Sequence, residues 1–293
     1  MDTKREVLLV GHGTIAAPSD IPEFLRQIRR GRPASAELVT EMQRRYAHIG
    51  GSPLLFVTES LARAVEHRLG LPVHVAMRFW EPLIENVVAR LVRSGVRELY
   101  VLPVAPFSVH LYAGAVKQAL AANGDAALKV VSVAPYGSHP KLVAAHVDAI
   151  APFIAAAKNK ETELILTAHS LPARVISSGD PYQSEFEASA RAISKELGYP
   201  GTIAYQSQGA DGGDWLGPTL LQALTNAKSA GKRRVVVAPV GFLADHVETL
   251  YDLDVEAAAQ ARTLGLDFAR VPALGDGPAL ADALSLVAKE VLP

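Results

Sequence analysis

The chain has 293 residues, 49% hydrophobic and 20% charged, enough to bury a sizeable core and to suggest two domains or one large one. Its 29 Lys and Arg nearly cancel 30 Asp and Glu, leaving a formal charge of -1 and no global basic field for nucleic acid. The absence of cysteine excludes disulfides, thiolate nucleophiles, zinc–thiolate sites and Cys-ligated iron–sulfur clusters, and suits a reducing cytoplasm.

The first apolar run, Val7-Leu8-Leu9-Val10, is too short for a signal peptide or a span. No other stretch approaches about twenty uninterrupted apolar residues, so a soluble, cytoplasmic, monomeric protein without stable membrane insertion is expected. From there strands and helices alternate. Val7–Val10 reads as a strand and Ser35–His48 and Thr58–Leu69 as helices. Strand Val73–Met77 precedes helix Pro82–Arg93, strands Leu99–Val104 and Lys129–Val133 follow, and a helix is expected over Lys141–Ala157. Strand Leu164–Thr167, helix Phe186–Leu197, strand Thr202–Tyr205, helix Thr219–Ala227, strand Arg234–Ala238, strand Asp267–Val271 and helix Pro278–Val291 complete the pattern. Strands separated by such helices imply right-handed crossovers and parallel sheets, the α/β class, with ligands bound beyond the carboxyl ends of the strands.

An internal echo suggests duplication. Leu8-Leu9-Val10-Gly11-His12-Gly13-Thr14 resembles Leu164-Ile165-Leu166-Thr167-Ala168-His169-Ser170, half the chain later. The expectation is two similar lobes, 1–135 and 136–293, each with a parallel four-stranded sheet flanked by helices, and a ligand cleft between them.

The richest chemistry lies in Val235–Glu256. Gly241 turns the chain after a buried strand, and a helix is expected from about Ala244, with Asp245, His246 and Glu248 in its first turn. Glu248, Asp252 and Glu256 recur every four residues, which places three like charges along one helix face, and no Lys or Arg occurs between Asp245 and Gln260. Two readings stand: an acidic helix start favoured by the macrodipole, which covers Asp245 and Glu248 only, or a path for cations. His169, after another buried strand, is by itself as consistent with a structural imidazole as with a ligand; beside an acidic helix it becomes a candidate proton acceptor or metal ligand. Ser170 and Ser108 lack a nucleophile-elbow context, and no phosphate-cradling glycine loop is present.

The first half differs. Arg29, Arg30 and Arg32 crowd one segment and Arg44-Arg45-Tyr46 follows, either a solvated basic patch or forks for the carboxylates of an acidic ligand. The turn at Gly50-Gly51-Ser52 offers backbone amides, and Tyr112 and Trp215 either flank a flat ligand or anchor loops.

Several segments together resemble the ferrochelatase family. They are Ile28–Arg32, Arg45-Tyr46 with Ile49–Leu54, Phe107-Ser108-Val109 with Tyr112, Ala168-His169-Ser170-Leu171-Pro172, Gly179-Asp180-Pro181-Tyr182, Trp215-Leu216-Gly217-Pro218, and Pro239–Phe242 through Glu248 to Asp252. They run in family order across nearly the whole chain. The resemblance is closest to the soluble bacterial type that inserts iron into coproporphyrin III, with protoporphyrin IX the nearest competing substrate. It implies a metal chelatase of haem biosynthesis that takes a porphyrin and Fe(II) as substrates and requires no cofactor. By analogy His169 and Glu248 are the catalytic, metal-handling pair, and Asp252 and Glu256 continue a route for iron or protons. Arg29, Arg45, Tyr46, Ser52, Tyr112 and Trp215 match porphyrin-binding positions.

Two departures stand out. His12 occupies a position where the coproporphyrin type carries a tyrosine, and Gly11-His12-Gly13 is similar to the turn of the small cobalt and nickel chelatases. His12 is therefore expected either to face the porphyrin as an iron ligand or to hydrogen-bond within its turn. Between Leu102 and Ser108 the chain is a few residues shorter than the family pattern. A chelatase for a sirohydrochlorin-type tetrapyrrole and a non-catalytic haem carrier are the alternatives; the carrier has no need of the acidic row, and the other substrate's eight carboxylates would call for more basic residues.

Overall fold

The computed structural model describes residues 3–124, 127–155, 161–209 and 213–293. All eight expected strands form: β1 (Arg5–Gly11), β2 (Val73–Met77), β3 (Glu98–Pro103), β4 (Lys129–Ser132), β5 (Thr162–His169), β6 (Gly201–Gln206), β7 (Arg234–Ala238) and β8 (Asp267–Arg270). They make two parallel sheets of identical topology, β2-β1-β3-β4 and β6-β5-β7-β8. Helices cover both faces, so the central strands are apolar without alternation. Val7 through Val10 of β1, Leu164 through Leu166 of β5 and Val235 through Val237 of β7 are all fully buried, each contributing on the order of 1.5–3 kcal/mol of apolar burial.

The chain divides into two compact units, 1–136 with 275–293, and 137–274. The last helix, Pro278–Lys289, was expected with the second half but packs on helix Leu54–Leu69 of the first. Its buried face, Leu280, Ala281, Ala283, Leu284 and Val287, needs an apolar partner, and Arg68 Nε donates to Asp282 at 2.5 Å. In the first unit Leu8, Val10, Val88, Leu99 and Val116 belong to one core cluster; in the second Ile165, Leu224, Val235, Leu253 and Ala261 do the same.

Local signals set several helix ends. Ser35 accepts the Leu38 amide at 3.3 Å to open helix Ala36–Ile49, and Thr219 with Gln222 forms a reciprocal capping box on helix Leu220–Ser229. Helix Pro140–Ala155 covers the described part of the expected Lys141–Ala157 segment; Ala156 and Ala157 lie outside the described residues. No helix among the described residues is long and apolar enough to cross a membrane.

The sheet registers refine the internal echo. Arg5 lies opposite Glu98 across β1 and β3, and Thr162 lies opposite Arg234 across β5 and β7. Val7, not Leu8, is therefore level with Leu164, and His12 is level with His169. The sequence match had slipped by one residue because runs of Val, Leu and Ile align equally well in either register.

Candidate active site

The second unit brings His169 and Glu248 together. His169 is the last residue of β5, Glu248 lies in the first turn of the helix that follows β7, and these strands are neighbours, so both stand at the carboxyl end of one sheet. His169 Nε2 lies 3.6 Å from Glu248 Oε1, and His246 Nε2 lies 3.7 Å from Glu248 Oε2. The carboxylate thus sits between two imidazoles. Sequence reasoning placed His246 only in a helix turn; its proximity to Glu248 was hidden because two residues apart in sequence says nothing about facing until the local backbone is known.

That backbone departs from expectation. The chain stays non-helical through His246, which is extended (φ -158°, ψ -171°), and the helix starts at Val247 rather than Ala244. The Thr249 hydroxyl fixes this start: it accepts the His246 amide at 3.0 Å and donates to the His246 carbonyl at 3.1 Å. Asp245 and His246 therefore precede the first turn and only Glu248 lies within it. Beyond Leu250 the helix widens. Asp252–Ala257 is π-helical, with the Glu256 amide donating to the Tyr251 carbonyl five residues back at 3.1 Å. Four residues overshoot one α-turn but fall short of a turn in the wider π-helix, so the two segments offset each other's drift along Glu248, Asp252 and Glu256. All three are half-buried, and such π-turns occur frequently at functional sites.

The missing basic partner of this acidic segment comes from another strand. Arg270 of β8 donates to Asp245 at 2.8 Å and clasps both oxygens of Asp254 at 2.7 and 2.8 Å. Asp245 and Asp254 thereby share one guanidinium, a partner that Glu248, Asp252 and Glu256 do not have in Arg270. Asp252 accepts a short hydrogen bond from Ser207 after β6, and Gln206 joins β5 to the site: Thr167 donates to its Oε1 at 2.7 Å while its Nε2 donates to the Glu248 carbonyl at 3.0 Å. Among the described residues no three His, Asp or Glu side chains converge on one metal position. His169 and Glu248 are a close pair, and Asp252 and Glu256 follow Glu248 at four-residue steps.

His169 is held by its surroundings. Its Nδ1 makes a short hydrogen bond with the Ser170 carbonyl, and Tyr182 donates to its own carbonyl at 3.0 Å. With Nδ1–H donating, Nε2 is the nitrogen turned to Glu248. Burial works against the charged imidazole, but the Glu248 charge and hydrogen bond, together with the Ser170 carbonyl and Asp252, outweigh it and raise the His169 pKa above its ordinary 6.5. Burial likewise disfavours ionised Glu248, yet the charge and hydrogen bond of His169, followed by those of His246, bring it well below the ordinary carboxylate value. Ser170, fully buried, donates to the Leu216 carbonyl at 2.9 Å, a structural role. That bond and the pairing of Pro172 with Trp215 bring the two motifs together. Trp215 lies against the Gly209 backbone, where a Cβ would meet its ring at 2.7 Å, and borders a cavity of about 370 Å³ with Arg174, Ser177 and Asp214.

The first unit gathers part of the expected porphyrin set at the carboxyl end of its own sheet. His12 follows β1, its Nδ1 3.4 Å from the Gly13 carbonyl and its ring against Phe79 (4.8 Å) and Phe24 (6.5 Å). Gly13 has φ +107° and a Cβ there would meet the Trp80 amide nitrogen at 3.0 Å, so only glycine fits this turn. Buried Tyr46 meets Thr14 at 3.2 Å, and buried Tyr112 lies near Arg78. Arg29 and Ser52 stand at helix ends instead, and Arg45 lies within helix Ala36–Ile49. Arg29 follows helix Ile21–Ile28, Arg45 donates to Glu41 at 2.7 Å, and Ser52 accepts the Leu54 amide at 3.4 Å. Hydrogen bonds from Arg44 and Arg45 lower the Glu41 pKa to about 2, which tempers the basic patch read from the sequence.

A family model described as Ferrochelatase matches residues 4–292. A ferrochelatase of Acidobacterium capsulatum is 34% identical over 100% of this chain and 96% of its own length. The coproporphyrin III ferrochelatase of Bacillus subtilis is 33% identical over 97% of this chain and 96% of its own. Among solved structures, SirB from Bacillus subtilis with Fe3+ superposes with a TM-score of 0.64 at 11% identity, covering 98% of this chain and 95% of that one, a likeness of fold alone.

Proposed function

The chain belongs to the ferrochelatase family and is a metal chelatase, a lyase, and from that premise we propose that it inserts Fe(II) into coproporphyrin III by way of His169 and Glu248. The observation that carries the residue assignment is the His169–Glu248 approach of 3.6 Å at adjacent strand ends, with His246 on the far side of the carboxylate. The substrate assignment rests on relatives named coproporphyrin III ferrochelatases and on arginines suited to a ligand with several carboxylates.

A free-base porphyrin carries two inner N–H protons. Metallation must bend a pyrrole out of plane, remove both protons and strip water from the ion. Binding energy at the macrocycle rim supplies the distortion, for which Arg29, Arg45, Tyr46, Ser52, Tyr112, Trp215 and His12 are the proposed contacts. Neutral His169 takes the pyrrole protons through Nε2. Glu248 receives the ion or passes protons on to Asp252 and Glu256, and His169 and Glu248 titrate as one coupled unit. No resident cofactor enters this scheme; iron is substrate. A monomer in the cytoplasm is part of the same reading, in keeping with a cysteine-free chain.

The test is anaerobic incubation of the purified protein with Fe(II) and, separately, coproporphyrin III, protoporphyrin IX and sirohydrochlorin, followed by visible absorption. Fastest metallation of coproporphyrin III is expected. A preference for either other tetrapyrrole overturns the substrate, and near-normal insertion by His169→Ala or Glu248→Gln at saturating porphyrin overturns the residue assignment.

A further inference from the structure

Arg78 stands out among the arginines of the first unit. It follows β2 directly, and the chain clamps it beside the His12 turn: the Arg78 amide donates to the Gly11 carbonyl and the Phe79 amide to the His12 carbonyl, both at 3.0 Å. Its guanidinium carbon lies 4.8 Å from the Phe79 ring centre and 5.8 Å from that of Tyr112. The residue is half-buried, yet its guanidinium makes no hydrogen bond or ion pair with any described residue. Other arginines of this unit are used differently: Arg5 pairs with Glu98, Arg26 with Glu23, Arg44 with Glu41, and Arg68 with Asp282.

A guanidinium carries five N–H donors in its own plane and stacks by its faces. Contact with aromatic rings stabilises the charge without using any of those donors and limits the rotamers of the side chain. The fork is left pre-organised for an anion brought from outside, and the anion that fits it is a planar carboxylate held by two parallel hydrogen bonds. It stands at the carboxyl end of the sheet, beside the His12 and Tyr112 positions assigned above to the porphyrin.

We infer that Arg78 is a carboxylate receptor for a propionate of the substrate and a determinant of the preference for a tetracarboxylate porphyrin over a dicarboxylate one. This rests on the coproporphyrin reading above and extends it to a residue that no motif in the sequence singled out. Phe79 and Tyr112 act as the platform that holds the fork in place.

Equilibrium binding of metal-free coproporphyrin III and protoporphyrin IX, read from the Soret band, tests this without requiring turnover. Arg78→Gln is expected to weaken coproporphyrin III binding by about ten- to a hundredfold and protoporphyrin IX binding by less than about threefold. Arg78→Lys, which keeps the charge but loses the fork, is expected to fall between. In the iron-insertion assay KM for coproporphyrin III rises more than kcat falls. Equal weakening for both porphyrins, or no weakening for either, overturns the inference, as does an Arg78→Lys variant equal to wild type. Unfolding midpoints guard against a folding defect. A wild-type protein with no preference for coproporphyrin III overturns the substrate reading itself, whatever the Arg78 variants do.

Discussion

His12 and His169 occupy the same place in two sheets of the same topology, one step beyond the level of Gly11 and Ala168 on the two central strands. Each ring turns its Nδ1 to the carbonyl of the next residue, Gly13 in one unit and Ser170 in the other. What surrounds them differs. His169 faces Glu248 with Asp252 behind it, whereas His12 is packed against the rings of Phe24 and Phe79. Each sheet carries an imidazole at the end of a central strand, and the side chains packed around it differ: acids that follow β7 in one unit, rings that follow β1 and β2 in the other. An acidic neighbour favours protons and cations; an aromatic wall favours a flat ligand.

The largest effect tests that division. His169→Ala should lower the rate of iron insertion at saturating porphyrin by about a hundred- to ten-thousandfold, the range of a lost general base. His12→Ala should cost less than about tenfold and show mainly as altered binding of porphyrin or of the metallated product. Comparable losses in rate from the two variants would mean that the sheets share the chemistry.

A second effect sharpens the reason for the division. In metal-free protein an NMR titration of His169 should give a pKa above 6.5, and Glu248→Gln should lower it, because the carboxylate is what overcomes burial. The proton-accepting form of His169 is the neutral one, so the rate should rise with pH through that elevated value, and this limb should move to lower pH in Glu248→Gln. Stability follows the opposite direction. The contribution of a raised imidazole pKa is fully present below about 6.5, the unfolded value, and is lost as pH rises through the folded one. The depressed Glu248 contributes above its ordinary 4.5 and loses that contribution as pH falls through its folded value. The pair therefore stabilises most between those two ordinary values. A His169 titration unmoved by Glu248→Gln would refute the coupling.

Much of this was legible in the sequence. Continuous apolar runs such as Val235–Val237 could only be strands covered on both faces, and the order of strands and helices fixed the class. The meeting of His169 and Glu248 was accessible once both were placed at strand ends of one sheet. The His246 contact and the π-turn were not, because both depend on a helix start set by the Thr249 hydroxyl and on a backbone bond five residues long, which the four-residue spacing of acids conceals. Arg270 lay in a strand with no motif about it, so its ion pairs with Asp245 and Asp254 had no local signal. Nor did the last helix, whose apolar stripe states that it needs a partner without stating which unit provides one.

The smallest expected effects concern how each unit lets its central strand approach its neighbour. The Val104 amide donates to the Val10 carbonyl at 2.8 Å, and the Gly241 amide donates to the Thr167 carbonyl at 3.0 Å, so the two crossings correspond. One partner of each crossing is a glycine, but on opposite strands: Gly11 against Val104 in the first unit, Gly241 against Ala168 in the second. A Cβ added at Gly241 would lie 2.6 Å from the Ala168 Cβ and 2.7 Å from its Cα, and neither atom can give way without moving β5 and the histidine it carries. Gly241→Ala should therefore destabilise by about 1–3 kcal/mol, as overpacking a rigid site does, and should disturb the His169 titration as well. A Cβ at Gly11 would instead meet the Met77 sulfur at 2.7 Å and the Val104 methyl at 3.5 Å. The thioether is an adaptable side-chain end, so Gly11→Ala should cost less than about 1 kcal/mol. Urea unfolding midpoints compare the two substitutions directly. A Gly11→Ala variant as damaged as Gly241→Ala would show that the flexible contact is as unyielding as the backbone one, and that the correspondence between the two crossings does not extend to how they are packed.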